Sequence, residues 1–198
     1  MNYHNVQFAA AYGTSGQLPP SSRHEIAFVG RSNVGKSSLL NKLFNRKKLA
    51  KVSSKPGKTS TINFFDAEGA HFVDLPGYGY AQVSKTEKER WAEMINGYFE
   101  QDRDFTLVVS LIDIRHPATK LDVQMIDFLK EAELPFMVVL TKADKLSKSQ
   151  MLRQVAALRK QLGFGPDIQV VPCSSENGTG IDDLKAVIER YLAEANGN

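Results

Sequence analysis

The chain has 198 residues, of which 42% are hydrophobic and 24% charged; this is typical of one globular domain and excludes a largely disordered protein. Its only cysteine, Cys173, excludes an internal disulfide framework and a cysteine-based zinc site. The sequence has no run of 18 apolar residues and does not start with a secretory signal pattern, so we expect a cytoplasmic protein.

The net charge of +3 hides an uneven distribution. Residues 31–65 hold nine basic side chains and no Asp or Glu, whereas the rest of the chain holds 16 basic and 22 acidic residues. Such a one-sided patch predicts a polyanionic partner; the alternative is a solvated basic face that binds nothing specific. The nine residues are Arg31, Lys36, Lys42, Arg46, Lys47, Lys48, Lys51, Lys55 and Lys58.

Strands and helices are predicted to alternate along most of the chain. Apolar β-rich runs predict six strands, and helical spacing of apolar residues predicts five helices between and after them. The pair of runs joined through Glu68-Gly69 predicts a hairpin. In chain order these are strand 26–30, helix 36–44, strands 61–67 and 71–75, helix 88–100, strand 105–114, helix 121–133, strand 134–141, helix 151–162, strand 167–173 and helix 181–195.

This order predicts a three-layer α/β domain. Its sheet would have six strands, mostly parallel with one antiparallel hairpin strand, and helices on both faces. We place the domain at residues 23–195, after an N-terminal extension of residues 1–22 whose apolar pattern is loose.

The first predicted strand runs into GRSNVGKS (30–37) and then into a helix, which is the context of a phosphate-binding P-loop. Main-chain N–H groups and the helix N-terminus would bind phosphate oxygens. Lys36 would reach the β- and γ-phosphates, and the Ser37 hydroxyl would ligate Mg²⁺. The predicted nucleotide contacts here are Gly30, Arg31, Ser32, Asn33, Val34, Gly35, Lys36 and Ser37.

Two further segments fit the phosphate side of such a site. In DLPG (74–77), Asp74 ends a strand where its carboxylate can hold Mg²⁺, and the Gly77 N–H can approach a γ-phosphate; Leu75 and Pro76 lie between them. In KPGKTST (55–61), a hydroxyl could sense the γ-phosphate and complete the Mg²⁺ shell. Thr59, Ser60 and Thr61 are all candidates, and the alternative is a Pro-Gly turn leading into a strand.

The segment TKAD (141–144) predicts the base site, through Thr141, Lys142, Ala143 and Asp144. A carboxylate only accepts hydrogen bonds, and guanine offers the adjacent N1–H and 2-amino donors that adenine lacks. Asp144 would therefore select GTP over ATP, with the Lys142 stem over the base. Main-chain N–H groups near Ser174 and Ser175 would donate to guanine O6.

With these segments in order, the chain resembles a translation-factor-type small GTPase over about residues 24–195. The sequences of its motifs are similar to those of the EngB family of bacterial GTPases, also called YihA or YsxC. The residues that carry the resemblance are GRSNVGKSSLLN (30–41), SSKPGKTSTINFF (53–65), DLPGYGYA (74–81), DIRHPATKLD (113–122) and VVLTKADKL (138–146).

The resemblance implies a six-stranded mixed sheet and a role in large ribosomal subunit assembly and in normal septation during cell division. It implies that KPGKT contributes Gly57, Lys58 and Thr59, with Thr59 as the magnesium ligand, and that Cys173, Ser174 and Ser175 form the base-contact loop. Thr141 replaces the Asn of most GTPases but matches this family. A ribosomal RNA partner would suit the basic stretch 31–65.

We expect slow intrinsic hydrolysis, on the order of 10⁻⁴–10⁻² s⁻¹, because many GTPases place a water-orienting Gln where this chain has Tyr78, and no arginine finger is evident. Asn33 is a candidate carbonyl ligand for K⁺, which would replace the missing arginine; alternatively it only caps the loop. The predicted catalytic set is Lys36, Thr59, Gly77 and Asn33.

Two other functions compete with a GTP switch in ribosome assembly. One is a nucleotide-gated binding module for division proteins, in which hydrolysis is incidental. The other is a P-loop kinase, which TKAD and the lack of a second substrate lid disfavour. We expect a monomer that binds the large subunit through residues 31–65, and neither a membrane nor DNA.

Overall fold

The computed structural model describes residues 1–50, 60–79 and 83–197. A seven-stranded mixed sheet lies between two layers of helices, in the strand order β1-β3-β4-β2-β5-β6-β7. The strands are β1 (Gln7–Tyr12), β2 (His24–Gly30), β3 (Ile62–Ala67), β4 (Ala70–Asp74), β5 (Phe105–Asp113), β6 (Phe136–Thr141) and β7 (Val170–Pro172). The helices are α1 (Lys36–Leu43), α2 (Lys85–Glu100), α3 (Lys120–Glu131), α4 (Lys148–Leu162) and α5 (Ile181–Asn196).

The α/β prediction is confirmed, including the hairpin of β3 and β4 and the parallel pairing of β4, β2, β5, β6 and β7. The expected number of six strands is wrong by one, because residues 7–12 of the N-terminal extension form β1, antiparallel to β3. Its sequence, QFAAAY, has three alanines in place of alternating large apolar residues, so the pattern of a strand is weak. Phe8 and Tyr12 compensate by packing edge-on against Phe65 and Phe64.

Alternate residues of the central strands point to opposite faces of the sheet, as strand geometry requires. In β5, Leu107 and Val109 face the core under α1 and α5, whereas Val108 and Ile112 face the core under α2, α3 and α4. The strands read as continuous apolar runs because both faces are covered.

A buried ion pair joins β2 to the loop between α2 and β5, and it also contacts the N-terminal extension. Arg103 binds the carboxylate of Glu25 through two nitrogens, with Nη2 2.8 Å from Oε1, and the two side chains are 2% and 0% exposed. Tyr98 donates a further hydrogen bond to Glu25, and Arg103 Nη1 donates to the carbonyl of Pro19. Through the Pro19 carbonyl, the extension is therefore bonded to the Arg103 side chain that pairs with Glu25.

Helices α2, α3 and α4 begin one to three residues before their predicted starts because polar caps precede them. Thr119 and Ser147 form capping boxes with Asp122 and Gln150, and Ser84 accepts the Glu87 N–H. No helix in the described part of the chain is long and apolar enough to cross a membrane.

Candidate nucleotide-binding site

The predicted motifs meet at one edge of the sheet. The P-loop follows β2, DLPG spans the end of β4, TKAD spans the end of β6, and the loop with Ser174 and Ser175 follows β7. These strands are parallel, so their carboxyl ends lie along the same edge, where open α/β sheets bind ligands.

The P-loop turns sharply between β2 and α1. Asn33 and Gly35 both have positive φ, 64° and 98°, and α1 begins directly after Gly35. Gly30 closes the strand in a tight position, since a Cβ there would lie 2.9 Å from Val34 Cγ1. This geometry directs the N-terminus of α1 toward the loop, which is the arrangement of an anion site.

Lys36 and Asp74, predicted to hold phosphate and magnesium, are in direct contact. Lys36 Nζ donates to Asp74 Oδ1, and their side chains are only 11% and 8% exposed. Ser37 follows Lys36 at the start of α1. A carboxylate and a hydroxyl are hard oxygen donors that suit Mg²⁺.

Magnesium bound here would take most of its ligands from hydroxyls, phosphate and water. The described residues contain no group of three or more His, Cys, Asp or Glu side chains placed to hold a metal. Mg²⁺ in nucleotide sites keeps few protein carboxylates, so this donor set fits the ion.

The DLPG segment is fixed against the P-loop through main-chain contacts. The Ser32 N–H donates to the Tyr78 carbonyl (2.8 Å), and the Tyr78 N–H donates to the Gly30 carbonyl (3.1 Å). A Cβ at Gly77 would lie 3.0 Å from Ser32 Cα, so a larger residue would have to push the P-loop backbone away. Leu75 and Pro76 are buried behind it.

Tyr78 occupies the position where many GTPases have Gln, and its side chain is held by α3. Its hydroxyl donates to Asp122 Oδ1 at 2.8 Å. Burial, and then the nearby Asp122 carboxylate, raise the pKa of Tyr78 well above its usual range, so the phenol stays neutral. In this arrangement Tyr78 holds the DLPG segment to α3.

Of the three hydroxyl candidates after the P-loop, two are described. The Ser60 carbonyl accepts a hydrogen bond from Arg90 Nη2 (2.7 Å), and the Thr61 hydroxyl donates to Asn63 Oδ1 (2.7 Å). The Thr61 hydroxyl is thus bonded to a side chain of β3. Gly57, Lys58 and Thr59 lie outside the described residues.

A cleft of about 180 Å³ joins the predicted base site to the P-loop. It contains TKAD and post-β7 residues on one side and residues of the P-loop and α1 on the other. Its lining residues are Val34, Gly35, Ser38, Leu39, Thr141, Lys142, Asp144, Lys145, Cys173, Ser175 and Glu176.

Two side chains of TKAD are hydrogen-bonded to P-loop carbonyls. Thr141 Oγ1 donates to the Val34 carbonyl at 2.7 Å, and Lys142 Nζ donates to the Asn33 carbonyl at 3.2 Å. The Thr141 hydroxyl therefore links the base loop to the phosphate loop by donating a hydrogen bond.

Asp144 is positioned by Ser174, whose hydroxyl donates to Asp144 Oδ1 at 2.8 Å. The same hydroxyl oxygen accepts the main-chain N–H groups of Glu176 and Asn177. The Ser174 N–H itself donates to the Thr179 carbonyl at 2.9 Å. Of the two N–H groups predicted to face guanine O6, the one of Ser174 is thus engaged within its own loop, and Ser175 lines the cleft.

Cys173 is fully buried beneath this loop, and burial raises the pKa of its thiol to about 12. Its carbonyl accepts the Ala143 N–H at 3.0 Å. Cys173 therefore joins TKAD to the last loop through its main chain and has no reactive thiolate.

Asp113 was missed by sequence reasoning as a site residue. Its side chain, 3% exposed, lies 3.2 Å from Lys142 Nζ and 2.8 Å from Arg115 Nη2. Burial alone would raise the pKa of Asp113, but hydrogen bonds from Arg115 and Lys142 hold it well below the usual range. The only signal was the motif DIRHP, to which no role was attached.

The basic stretch is divided between the site and the surface. Lys36 is paired with Asp74, whereas Lys42, Arg46, Lys47 and Lys48 are exposed at and after the end of α1. Arg46 also donates to the carbonyls of His4 and Val6 in the N-terminal segment. Lys51, Lys55 and Lys58 lie outside the described residues.

Comparison with known families gives a match to the model of the 50S ribosome-binding GTPases over residues 25–142. A probable GTP-binding protein EngB from Geobacillus sp. (strain WCH70) is 43% identical over 193 residues, covering 97% of this chain and 100% of that protein. The protein of the same name from Exiguobacterium sibiricum is 47% identical over 190 residues, covering 93% and 98%.

Solved structures of GTP-binding proteins also match this chain. The crystal structure of a probable GTP-binding protein EngB matches with a TM-score of 0.71 and 26% identity, covering 86% of this chain and 99% of that one. Era in complex with MgGDPNP and a segment of 16S ribosomal RNA matches with a TM-score of 0.69 and 26% identity, covering 86% and 57%.

Proposed function

Because the chain belongs to the EngB family of GTP-binding proteins, we propose that it is a nucleotide switch with slow GTPase activity. It acts in the cytoplasm, in assembly of the large ribosomal subunit, and normal cell division and septation depend on that role. The observation that supports the proposal most strongly is the hydrogen bonding of TKAD side chains to P-loop carbonyls, because in this proposal the two segments bind the base and the phosphates of one nucleotide.

Asp144 selects the base in this proposal. Held by Ser174, its carboxylate accepts hydrogen bonds from guanine N1–H and the 2-amino group. Adenine would leave the carboxylate without these donors, so ATP is rejected. The Lys142 stem covers the base, and Ala143 and Cys173 hold the two base loops together.

The phosphates bind the N-terminal end of α1 and the main-chain N–H groups of the P-loop. Lys36 leaves Asp74 and binds the β- and γ-phosphates, and the Gly77 N–H approaches the γ-phosphate. Ser37, Asp74 and Thr59 would hold Mg²⁺, which neutralises phosphate charge when bound.

Hydrolysis is slow because Tyr78 is engaged with Asp122 and does not orient water. Lys36, Thr59, Gly77 and Asn33 form the catalytic set in this proposal. Asn33 lies exposed in the P-loop with a left-handed backbone, and its side-chain carbonyl is the proposed ligand for K⁺.

The partner in this proposal is ribosomal RNA and protein of the large subunit, bound through residues 31–65. The family description, 50S ribosome-binding GTPase, and the exposed cations after α1 support it. The protein acts as a monomer, with neither DNA nor a membrane as partner.

Depletion of the protein in cells tests this role. Sucrose-gradient profiles should show accumulation of incomplete large subunits before septation fails. Plasmid-borne wild-type protein should restore the profile, whereas Lys36→Ala should not. Failure of septation with a normal subunit profile would contradict the proposal and favour direct action on division proteins.

A further inference from the structure

Helix α4 carries a second basic surface that the stretch 31–65 does not include. Residues 145–166 contain five basic side chains and no Asp or Glu, in a part of the chain bounded by Asp144 and Asp167. The other long helices, α2, α3 and α5, each carry acidic and basic side chains together. The charge of α4 is therefore unlike that of its neighbours.

The cations of α4 remain free of carboxylates. Lys148, Arg153, Arg159 and Lys160 form no ion pair with any carboxylate of the described residues, while Lys145 is paired with Asp144. Lys148, Arg153 and Lys160 are exposed. Four positive charges along one helix are thus available to an outside anion.

The outward line of α4 combines long cations with small residues. Arg153 and Lys160 are seven residues apart, so they lie on one line at a separation of about 10 Å. The exposed residues Ser149, Ala156 and Ala157 lie on the same side. Short side chains between two long cations let an extended polyanion approach the helix closely.

The buried side of α4 argues against a membrane as the partner. Leu158 and Leu162 are in the core, and Met151 and Val155 pack against it. Only Leu152, 60% exposed, remains as a large apolar side chain on the outside. A helix that inserts into a bilayer interface needs a free apolar face, which α4 lacks.

We propose that the outward face of α4, centred on Arg153 and Lys160, is a second RNA-binding surface, which contacts the phosphate backbone of ribosomal RNA. It lies over the opposite side of the sheet from α1, so it binds a different part of the RNA from the stretch 31–65. The identity of the RNA rests on the proposed function, whereas the polyanion class rests on the charge of the helix.

The test compares Arg153→Glu/Lys160→Glu with the control Lys120→Glu/Arg190→Glu in the full-length protein. The control makes the same change in charge at exposed positions on α3 and α5. Binding is measured to purified large subunits with a non-hydrolysable GTP analogue, and to a short labelled RNA duplex, over a series of salt concentrations. Circular dichroism and GDP affinity check that each variant is folded.

The α4 variant should bind large subunits about tenfold more weakly, with a salt dependence lower by about two phosphate contacts, while the control stays closer to wild type. Equal weakening of both variants would overturn the proposed α4 surface, because the net charge alone would then explain the loss. An α4 variant that binds large subunits with wild-type affinity would overturn it as well.

If wild-type protein does not bind large subunits at all, the proposed function fails. Binding of the two variants to the RNA duplex then tests the α4 surface by itself. A loss confined to the α4 variant would then support the surface, and equal binding by both variants would overturn it. Binding to anionic-lipid vesicles is measured in the same way. If the α4 variant lost binding to vesicles while its binding to RNA stayed unchanged, the proposed RNA surface would also be overturned.

Discussion

Lys36 and Asp74 are bonded to each other although their predicted ligands differ, the phosphates for Lys36 and magnesium for Asp74. Both side chains are largely buried, so each neutralises the other's charge in a site of low dielectric. In the proposed function, a bound nucleotide would separate them, because Lys36 would pair with its phosphates and Asp74 would help to hold magnesium.

Replacing Asp74 with Ala should remove this competition. We expect GDP affinity without magnesium to be retained or increased, because Lys36 is then free for phosphate. The gain in GTP affinity that magnesium gives wild-type protein should be lost. Titration with a fluorescent nucleotide, with and without magnesium, measures both effects. An unchanged magnesium response would show that Asp74 takes no part in holding the ion.

Replacing Asp144 with Asn should change base selectivity. The amide offers a donor where guanine also donates, so GTP affinity should fall about a hundredfold or more. Xanthosine triphosphate, which has a carbonyl in place of the 2-amino group, should bind more tightly than to wild type. Competition titrations with both nucleotides check this. Comparable GTP affinity in the variant would rule out Asp144 as the selecting residue.

The buried pair of Arg103 and Glu25 should contribute strongly to the stability of the fold. Glu25→Leu leaves the guanidinium without its carboxylate, and we expect a loss of about 3–5 kcal/mol in the free energy of unfolding. The double variant Glu25→Leu/Arg103→Met should recover much of that loss. Urea unfolding at neutral pH gives the values. A single variant as stable as wild type would contradict the assignment.

Asp113 should make stability depend on acid. A carboxylate whose pKa is depressed in the folded protein stabilises the fold above its unfolded pKa of about 4, and this stabilisation is lost as the pH falls through the folded pKa. The difference in unfolding free energy between wild type and Asp113→Asn should be constant above about pH 5 and shrink below about pH 4. A difference independent of pH would contradict the role of its ion pairs.

Single-turnover hydrolysis without partners should proceed on the order of 10⁻⁴–10⁻² s⁻¹. Tyr78→Phe should leave this rate near the wild-type value, because the hydroxyl faces Asp122. Replacing potassium by sodium should slow wild-type protein, and Asn33→Ala should abolish that difference. A wild-type rate near 10 s⁻¹ would contradict slow hydrolysis, and a rate indifferent to the cation would contradict the potassium site.

Much of this fold was predictable because its signals are local. Short-range geometry determines the P-loop glycines and the continuous apolar strands of a sheet covered on both faces. The predicted bounds of β2 and the predicted start of α1 are therefore close to those in the structure. Strand β1 was missed because its alanines give little alternation and its partner β3 is 50 residues or more away in sequence. Its packing depends on Phe64 and Phe65, which no local pattern connects to it.

In the site, the motifs predict which residues touch the ligands, whereas the residues that position them could not be predicted from the sequence. Asp113 reaches Lys142, and Arg90 reaches Ser60, only through the tertiary fold. The hydrogen bond from the Ser174 N–H to the Thr179 carbonyl could likewise not be predicted, because the sequence does not distinguish the N–H of Ser174 from that of Ser175.

The most direct test of the nucleotide switch is co-sedimentation with purified large and small ribosomal subunits in the presence of GDP or a non-hydrolysable GTP analogue. The protein should bind the large subunit at least about tenfold more tightly with the GTP analogue, and the binding should weaken as salt rises. Equal affinity in the two nucleotide states, or no preference for the large subunit, would contradict it.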